Sequence, residues 1–437
     1  MSEKSSKKVL TSAALGQFVE WYDFVVYAYS ATVIAKLFFP NEDPSVGVLS
    51  TLAVYGAGFV MRPLGGFILG SLGDRFGRRA ILSIIILSMG LATSLMGLLP
   101  TYASIGIWAP ILLVILRLVQ GLSAAGESAG SNSFVAEHAP KGKRGLHVAF
   151  TYAFANLPPV AAALLILLLT SVLGESTYLA WGWRIPFLLG APLAFVGLYI
   201  RTHVDESPAF EKAKSENGIS ATPVREAMQT QRKPMLFCFA IAAFSSLAFY
   251  TMSGYFVTYL TTSVGLSRTD SLIANSIAMF VSFFIMIWSG HLSDLYGRKT
   301  MLCVGLVASA VAAVPAYLLA SHATLITAIA GQLLLAIAMG LYSGPVGAAL
   351  LELFPTRTRL SASAISYNLA YTIFGGSAPF LGAGLVLKSG SLLAPAVYMA
   401  VIAIAVLIVI MFMPETYKRS ITDASPLDGN ARIDRDS

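Results

Sequence analysis

The chain has 437 residues, of which 56% are hydrophobic and only 12% charged, with a mean hydropathy of +0.73. A soluble globular chain is about a quarter charged, and a single core does not grow to absorb this much apolar sequence; a water-surrounded enzyme is excluded and the lipid bilayer becomes the partner. The net charge of +7 does not mark a nucleic-acid binder, because the basic residues sit in short clusters between apolar runs, the arrangement that sets membrane topology.

A membrane-crossing helix needs roughly 20 mostly apolar residues. Twelve such runs, spans 1 to 12 in chain order, lie near 13–38, 48–73, 80–100, 108–136, 146–173, 183–202, 234–263, 271–293, 300–320, 324–352, 361–387 and 392–413. The chain is therefore expected to be all-α, a membrane protein of twelve transmembrane helices. Lys4, Lys7 and Lys8 precede span 1 as in a secretory leader. That run holds Glu20 and Asp23 and shows no clear small-residue cleavage site, so it reads as a retained helix.

Span 1 carries Glu20-Trp-Tyr-Asp23-Phe, which puts two carboxyls on adjacent parts of one helix face. Span 2 carries Arg62-Pro-Leu-Gly-Gly66 and ends in Gly70-Ser-Leu-Gly-Asp74-Arg75-Phe-Gly77-Arg78-Arg79. Span 4 holds Arg117, Gln120 and Gly126-Glu127 and closes on Glu137-His-Ala-Pro140-Lys-Gly-Lys-Arg144. Gly126-Glu-Ser128-Ala-Gly130 matches a hydrolase nucleophile elbow, but that motif needs a strand before it and here lies inside an apolar helix. Span 5 carries Asn156-Leu-Pro158-Pro159, and Gly182-Trp-Arg-Ile-Pro-Phe187 opens span 6.

The polar stretch 203–233 divides the chain into a first six-span half, 1–202, and a second, 234–413, followed by a tail, 414–437. Span 7 holds Phe249, Tyr250, Tyr255 and Tyr259. Span 8 ends in Gly290-His-Leu-Ser-Asp294-Leu-Tyr-Gly297-Arg298-Lys299. Span 10 ends in Glu352-Leu-Phe-Pro355-Thr-Arg-Thr-Arg359, and span 11 holds Tyr367, Asn368 and Tyr371. The motifs ending spans 2 and 8, and those ending spans 4 and 10, recur in the same order at nearly one offset, which marks a duplicated transporter fold.

With both termini on the cytoplasmic side, 23 of the 29 Lys and Arg residues fall there. Lys36, Arg184, Arg268 and Lys388 fall outside, and Arg62 and Arg117 lie within spans. This bias predicts cytoplasmic termini. The five histidines are scattered and Cys238 and Cys303 lie in apolar runs, so no metal or disulfide framework is expected; nor is there a phosphate-binding glycine loop. No cofactor is expected beyond a coupling ion, H⁺.

The Gly-x-x-x-Asp-Arg-x-Gly-Arg-Arg stretch after span 2, with its partial copy after span 8, resembles the signature of the major facilitator superfamily. Glu20-Trp-Tyr-Asp23-Phe, Arg62-Pro-Leu-Gly-Gly66, Ile105-Gly-Ile-Trp-Ala-Pro110, Gly126-Glu127 and Gly182-Trp-Arg-Ile-Pro-Phe187 resemble its metabolite:proton symporter branch, which includes carriers of proline and betaine, α-ketoglutarate, citrate and shikimate. The resemblance implies two pseudo-symmetric six-helix bundles around a central cavity lined by spans 1, 4, 7 and 10, working as a monomer in a bacterial inner membrane. It also implies cytoplasmic ion pairs between the halves, for which the candidates are Asp74, Arg75, Arg78, Glu137, Arg144, Asp294, Arg298, Glu352 and Arg359. The second copy departs from the first in having Leu295 where Arg75 stands.

Five ionisable residues fall inside spans: Glu20, Asp23, Arg62, Arg117 and Glu127, all in the first half. A charge at membrane depth costs at least ~2.5–3.5 kcal/mol, so a functional role is the default. At ~1.5 Å per residue, Glu20, Asp23, Arg62 and Glu127 lie about 12–16 Å deep, and Arg117 lies nearer the outer face. Glu20, Asp23 and Glu127 are the proton-coupling candidates, since burial favours the neutral carboxyl and a nearby arginine the charged one. The bland alternative is a fixed pair such as Asp23 with Arg62. Arg62, Arg117 and Gln120 suit a substrate carboxylate. Tyr255 and Tyr259, four apart, suit a methylated cation, and Asn368 is a further polar candidate. The leading expectation is a proton-coupled importer of a small carboxylate-bearing metabolite. The residues do not separate organic acids from zwitterions, or protons from sodium. A proton-driven efflux antiporter is the alternative, although span 5 lacks the glycine-rich Gly-Pro motif such carriers tend to have. A signalling receptor-transporter would need an extra soluble domain.

Overall fold

In the computed structural model, residues 3–65, 78–124, 142–202, 230–354 and 359–417, with the isolated residues 68, 135 and 139, are described. They are overwhelmingly helical, with no strand among them. Eight helices are long and apolar enough to cross a membrane: Pro44–Gly65, Arg144–Leu173, Arg232–Val264, Arg268–Tyr296, Arg298–Ala320, Leu325–Glu352, Ala362–Ser389 and Ala394–Met411. A ninth crossing is a pair bent by 42°, Glu175–Gly182 with Arg184–Tyr199. Glu3–Tyr29 with Ala31–Phe38, Arg78–Leu98 and Trp108–Ala124 supply spans 1, 3 and 4, which completes twelve crossings in two six-helix bundles. Span 6 starts earlier than its hydropathy suggests. Its first turns, through Trp181, precede the bend, and Arg184 is accommodated by donating to the carbonyls of Gly97 and Leu99, each at 2.8 Å.

Apolar side chains point outward along most spans, as lipid rather than water requires. Close approach between helices is obtained with glycine. Gly58 of span 2 lies against the carbonyl of Arg117 in span 4, where a Cβ would come within 3.0 Å. Gly290 of span 8 lies against the carbonyl of Gly145 in span 5, 2.8 Å from where its Cβ would be. Small residues at such crossings let backbones pack in the absence of a hydrophobic driving force. Spans 6, 7 and 11 each contain π-helical turns, at Tyr178–Gly182, Thr251–Tyr255, Tyr259–Val264 and Tyr371–Gly375. Such turns often sit at functional positions.

Candidate functional site

The two halves meet around a small cavity of about 20 Å³, room for about one water. Trp21 of span 1, Tyr152, Ala155 and Asn156 of span 5, Ser245 and Phe249 of span 7, Met286 of span 8, Met339 and Ser343 of span 10 and Tyr371 of span 11 line it. Trp21 packs on Phe249 at a centroid distance of 4.7 Å and lies 6.5 Å from Tyr371. The indole N–H donates to Gln17 Oε1 at 3.0 Å, one turn earlier on the same helix. Tyr152 joins the halves through its hydroxyl, 2.8 Å from that of Tyr371 and 3.3 Å from that of Tyr367. Polar groups and ring surfaces both contribute to its lining.

Glu20, Asp23, Arg62 and Arg117 are all buried. Arg62 sits among three rings, its guanidinium carbon 4.5 Å from the Phe59 centroid, 4.9 Å from Phe24 and 5.8 Å from Tyr371. Each such contact is worth about 0.5–2 kcal/mol. Glu20 and the hydroxyls of Tyr250, Tyr367 and Tyr371 lie within electrostatic range of Arg62. Arg62 Nε and Nη2 are buried and have no hydrogen-bond acceptor. These two atoms form one edge of the guanidinium fork, the edge that grips a carboxylate with two parallel bonds.

Arg117 has a different setting. It packs over Tyr27, Tyr55 and Phe24 at 4.2, 4.9 and 5.4 Å. It donates to Gln120 Oε1 and, at 3.4 Å, to the Tyr55 carbonyl, while Gln120 Nε2 donates to Thr93 Oγ1 at 2.8 Å. Asp23 lies within its electrostatic range. Glu20 thus lies within the electrostatic range of Arg62, and Asp23 within that of Arg117.

Tyr255 and Tyr259 do not reach the cavity. They pack on each other at 5.9 Å and within the second half, Tyr259 lying 4.9 Å from Tyr317 and donating to the Leu392 carbonyl at 3.1 Å. The rings that line the cavity belong to Trp21, Tyr152, Phe249 and Tyr371. Asn368 is buried on span 11 and is not part of the cavity wall. Glu127 lies outside the described residues, as do Asp74, Arg75 and Glu137. Arg78 and Arg359 stand at the starts of described helices.

At the basic end of the bundles the halves are bonded directly. Asp294 accepts from the backbone N–H groups of Gly145 and Leu146, at 2.7 and 2.8 Å, at the first turn of span 5. Arg144 meets Glu352 at 3.0 Å, and Glu352 also holds Arg298 at 3.2 Å and the Thr416 hydroxyl at 2.9 Å. Arg298 completes the group by pairing with Asp294 at 2.8 Å. At the opposite end the contacts centre on an amide cluster. Tyr29 donates to Asn275, whose amide donates to Gln332 Oε1 at 2.7 Å and to the Met252 carbonyl at 2.8 Å. Arg268 adds a 3.2 Å bond to the Tyr29 carbonyl. Sequence reading misses this cluster, because one Asn and one Gln in long apolar helices carry no motif.

The sequence profile of the family described as sugar (and other) transporter matches residues 9–224 and again 209–427, once per half. The chain belongs to this transporter family. The transporter is 36% identical over 429 residues to the glycine betaine/proline/ectoine/pipecolic acid transporter OusA of Dickeya dadantii, covering 96% of this chain and 85% of that one. It is also 36% identical to the proline/betaine transporter of Escherichia coli K12, covering 96% and 86%. The ectoine/proline transporter ProP of Corynebacterium glutamicum is 32% identical over 437 residues. Among solved structures, the partially occluded inward-open xylose transporter XylE from E. coli superposes with a TM-score of 0.75 at 19% identity, over 96% of this chain and all of that one. This likeness establishes the major facilitator fold. The transporter is a multi-pass membrane protein and not an enzyme.

Proposed function

We propose that this transporter imports a small zwitterion, of the proline or betaine class, together with protons across a bacterial inner membrane, with its termini and basic end cytoplasmic. The observation that carries the reading is the juxtaposition of a ring-lined cavity with the buried, acceptor-free edge of Arg62. A carboxylate answers that edge and a cationic nitrogen answers the rings. A dicarboxylate or tricarboxylate would bring a second anion into a space whose described lining offers it no cation. The names of the curated relatives point to the same class.

In this reading Arg62 binds substrate, and Arg117 with Gln120 forms a rigid mount for Asp23. Glu20, Asp23 and Glu127 are the proton-carrying candidates. The Arg144–Glu352–Arg298–Asp294 group closes the cytoplasmic side, and the Tyr29–Asn275–Gln332 group closes the other. In this reading the protein works as a monomer. Uptake from a labelled panel of proline, glycine betaine, α-ketoglutarate, citrate and shikimate tests the substrate class. Uptake of proline or betaine, competed by the other zwitterion and not by citrate, is expected; selective uptake of an organic acid would contradict it.

A further inference from the structure

We propose that Asn156 Oδ1 and the carbonyl of Ala155, neighbours on span 5, accept the N–H groups of the solute's cationic nitrogen, and that this pair sets the preference between zwitterions that carry such groups and those that are fully methylated. The inference rests on the zwitterion reading above and deepens it by naming the residues that tell its members apart.

Span 5 is not one continuous α-helix. Its first stretch, Arg144–Ala153, passes into a 3₁₀ turn at Phe154–Asn156 before the α-helix resumes at Leu157. Pro158 and Pro159 follow at once. Within the turn, the Leu157 N–H donates to the Phe154 carbonyl. The nitrogens that a 3₁₀ or α turn would offer to the Ala155 carbonyl, three and four residues on, are those of Pro158 and Pro159. Proline has no backbone N–H. The Ala155 carbonyl therefore has no helical donor at either position, and Ala155 lines the cavity.

Asn156 lines the cavity as well and is 2% exposed. Its Nδ2 donates to the Ala153 carbonyl at 3.1 Å and lies 3.6 Å from Met286 Sδ. Those contacts fix which corner of the amide is nitrogen. Oδ1 is buried and meets no donor among the described residues. An unmet buried acceptor is costly, so the position suits a donor that arrives from outside the protein. The other polar side chains of the wall, Tyr152, Ser245, Ser343 and Tyr371, carry hydroxyls, which both donate and accept. An amide oxygen and a backbone carbonyl only accept. Trp21 and Phe249 supply rings to the same wall. Acceptors beside rings suit a cation that carries N–H. The cavity has room for about one water and must widen to admit a solute. The two acceptors, consecutive in the chain, move together as it does.

The ammonium nitrogen of proline carries two N–H groups, and that of glycine betaine or N,N-dimethylproline carries none. The first can satisfy both oxygens, while the others leave them unmet and rely on the rings. Uptake of labelled glycine betaine by proteoliposomes, competed by unlabelled proline, N,N-dimethylproline and betaine, reads the difference. Wild type should prefer proline over N,N-dimethylproline. Asn156→Leu, close in shape and without the acceptor, should lower the apparent affinity for proline by roughly ten- to hundredfold. It should leave betaine and N,N-dimethylproline within about twofold of wild type, so that betaine uptake also reports that the variant folds. Equal losses for all three solutes, an unchanged affinity for proline, or equal affinity of wild type for proline and N,N-dimethylproline would overturn the proposal. Sodium-dependent uptake of both solute types, lost together in Asn156→Leu, would place a metal cation at these oxygens and overturn it as well. Should Asn156→Leu not fold, Asn156→Gln, which keeps the amide and displaces its oxygen, decides: a fall in proline relative to betaine supports the assignment and an unchanged ratio contradicts it. Failure of wild type to take up either zwitterion would instead sink the substrate reading on which this rests.

Discussion

Arg144 of span 5 and Glu352 of span 10 meet at 3.0 Å across the two halves, and the same carboxylate holds Arg298 of its own half at 3.2 Å. One buried carboxylate thus joins two arginines from different bundles. Breaking a buried pair by removing one partner costs about 3–5 kcal/mol, because the remaining charge is left uncompensated. Glu352→Gln is expected to shift the carrier toward the form open at this end. Modification of a cysteine placed in the cavity, in a background lacking Cys238 and Cys303, should become faster from the Arg144 side. An unchanged rate would remove Glu352 from the gate.

Asn275→Ala should do the reverse. The substitution strands Tyr29 and Gln332 and frees the Met252 carbonyl, at about 1–3 kcal/mol for an unsatisfied buried group. Reagent access to the same cavity cysteine should rise from the Asn275 side only. Equal access from both sides would show that Asn275 stabilises the fold as a whole and not one closed end.

Trp21 supplies a ring to the cavity next to Phe249 and Tyr371. Glycine betaine and 3,3-dimethylbutanoate have the same shape and differ in the charge of the head group. Wild type should prefer betaine over this isostere, and Trp21→Leu should reduce the preference by between about twofold and about thirtyfold, the range of a single cation–π contact. Competition of proline uptake by the two compounds reads the ratio. No change in the ratio would assign Trp21 to packing.

Arg62→Lys keeps the charge and loses the fork. Loss of one charge-assisted bond predicts roughly a ten- to hundredfold fall in apparent affinity. Normal uptake by this variant would contradict the carboxylate clamp, since lysine cannot reproduce the Nε–Nη2 edge.

The parts legible in the sequence are those the bilayer itself enforces. Twelve apolar runs, the duplicated Asp-x-x-Gly-Arg stretch and the rarity of intramembrane charge all follow from the cost of polarity in lipid, which leaves a one-dimensional trace. Glu20, Asp23, Arg62 and Arg117 were visible for that reason. What was not legible is azimuth, the direction in which a helix presents a face to its neighbours. Spacing pairs Asp23 with Arg62 as readily as Glu20 with Arg62, and the packing of span 1, chiefly against spans 5 and 6, is not written in that spacing. The same lack of azimuth made Tyr255 and Tyr259 look like cavity rings, when the π-helical turns of span 7 direct them into the second half against Tyr317. Trp21 stood beside Glu20 in a recognised motif, yet an aromatic in an apolar helix is ordinarily packing.

The central claim, proton-driven import, is tested most directly by labelled proline and glycine betaine in proteoliposomes with an imposed inward proton gradient. The account predicts accumulation above the external concentration, collapsed by a protonophore and independent of sodium. Equilibration without accumulation, or gradient-driven loss of solute from preloaded vesicles, would contradict it, the latter by establishing exchange against protons instead of symport with them.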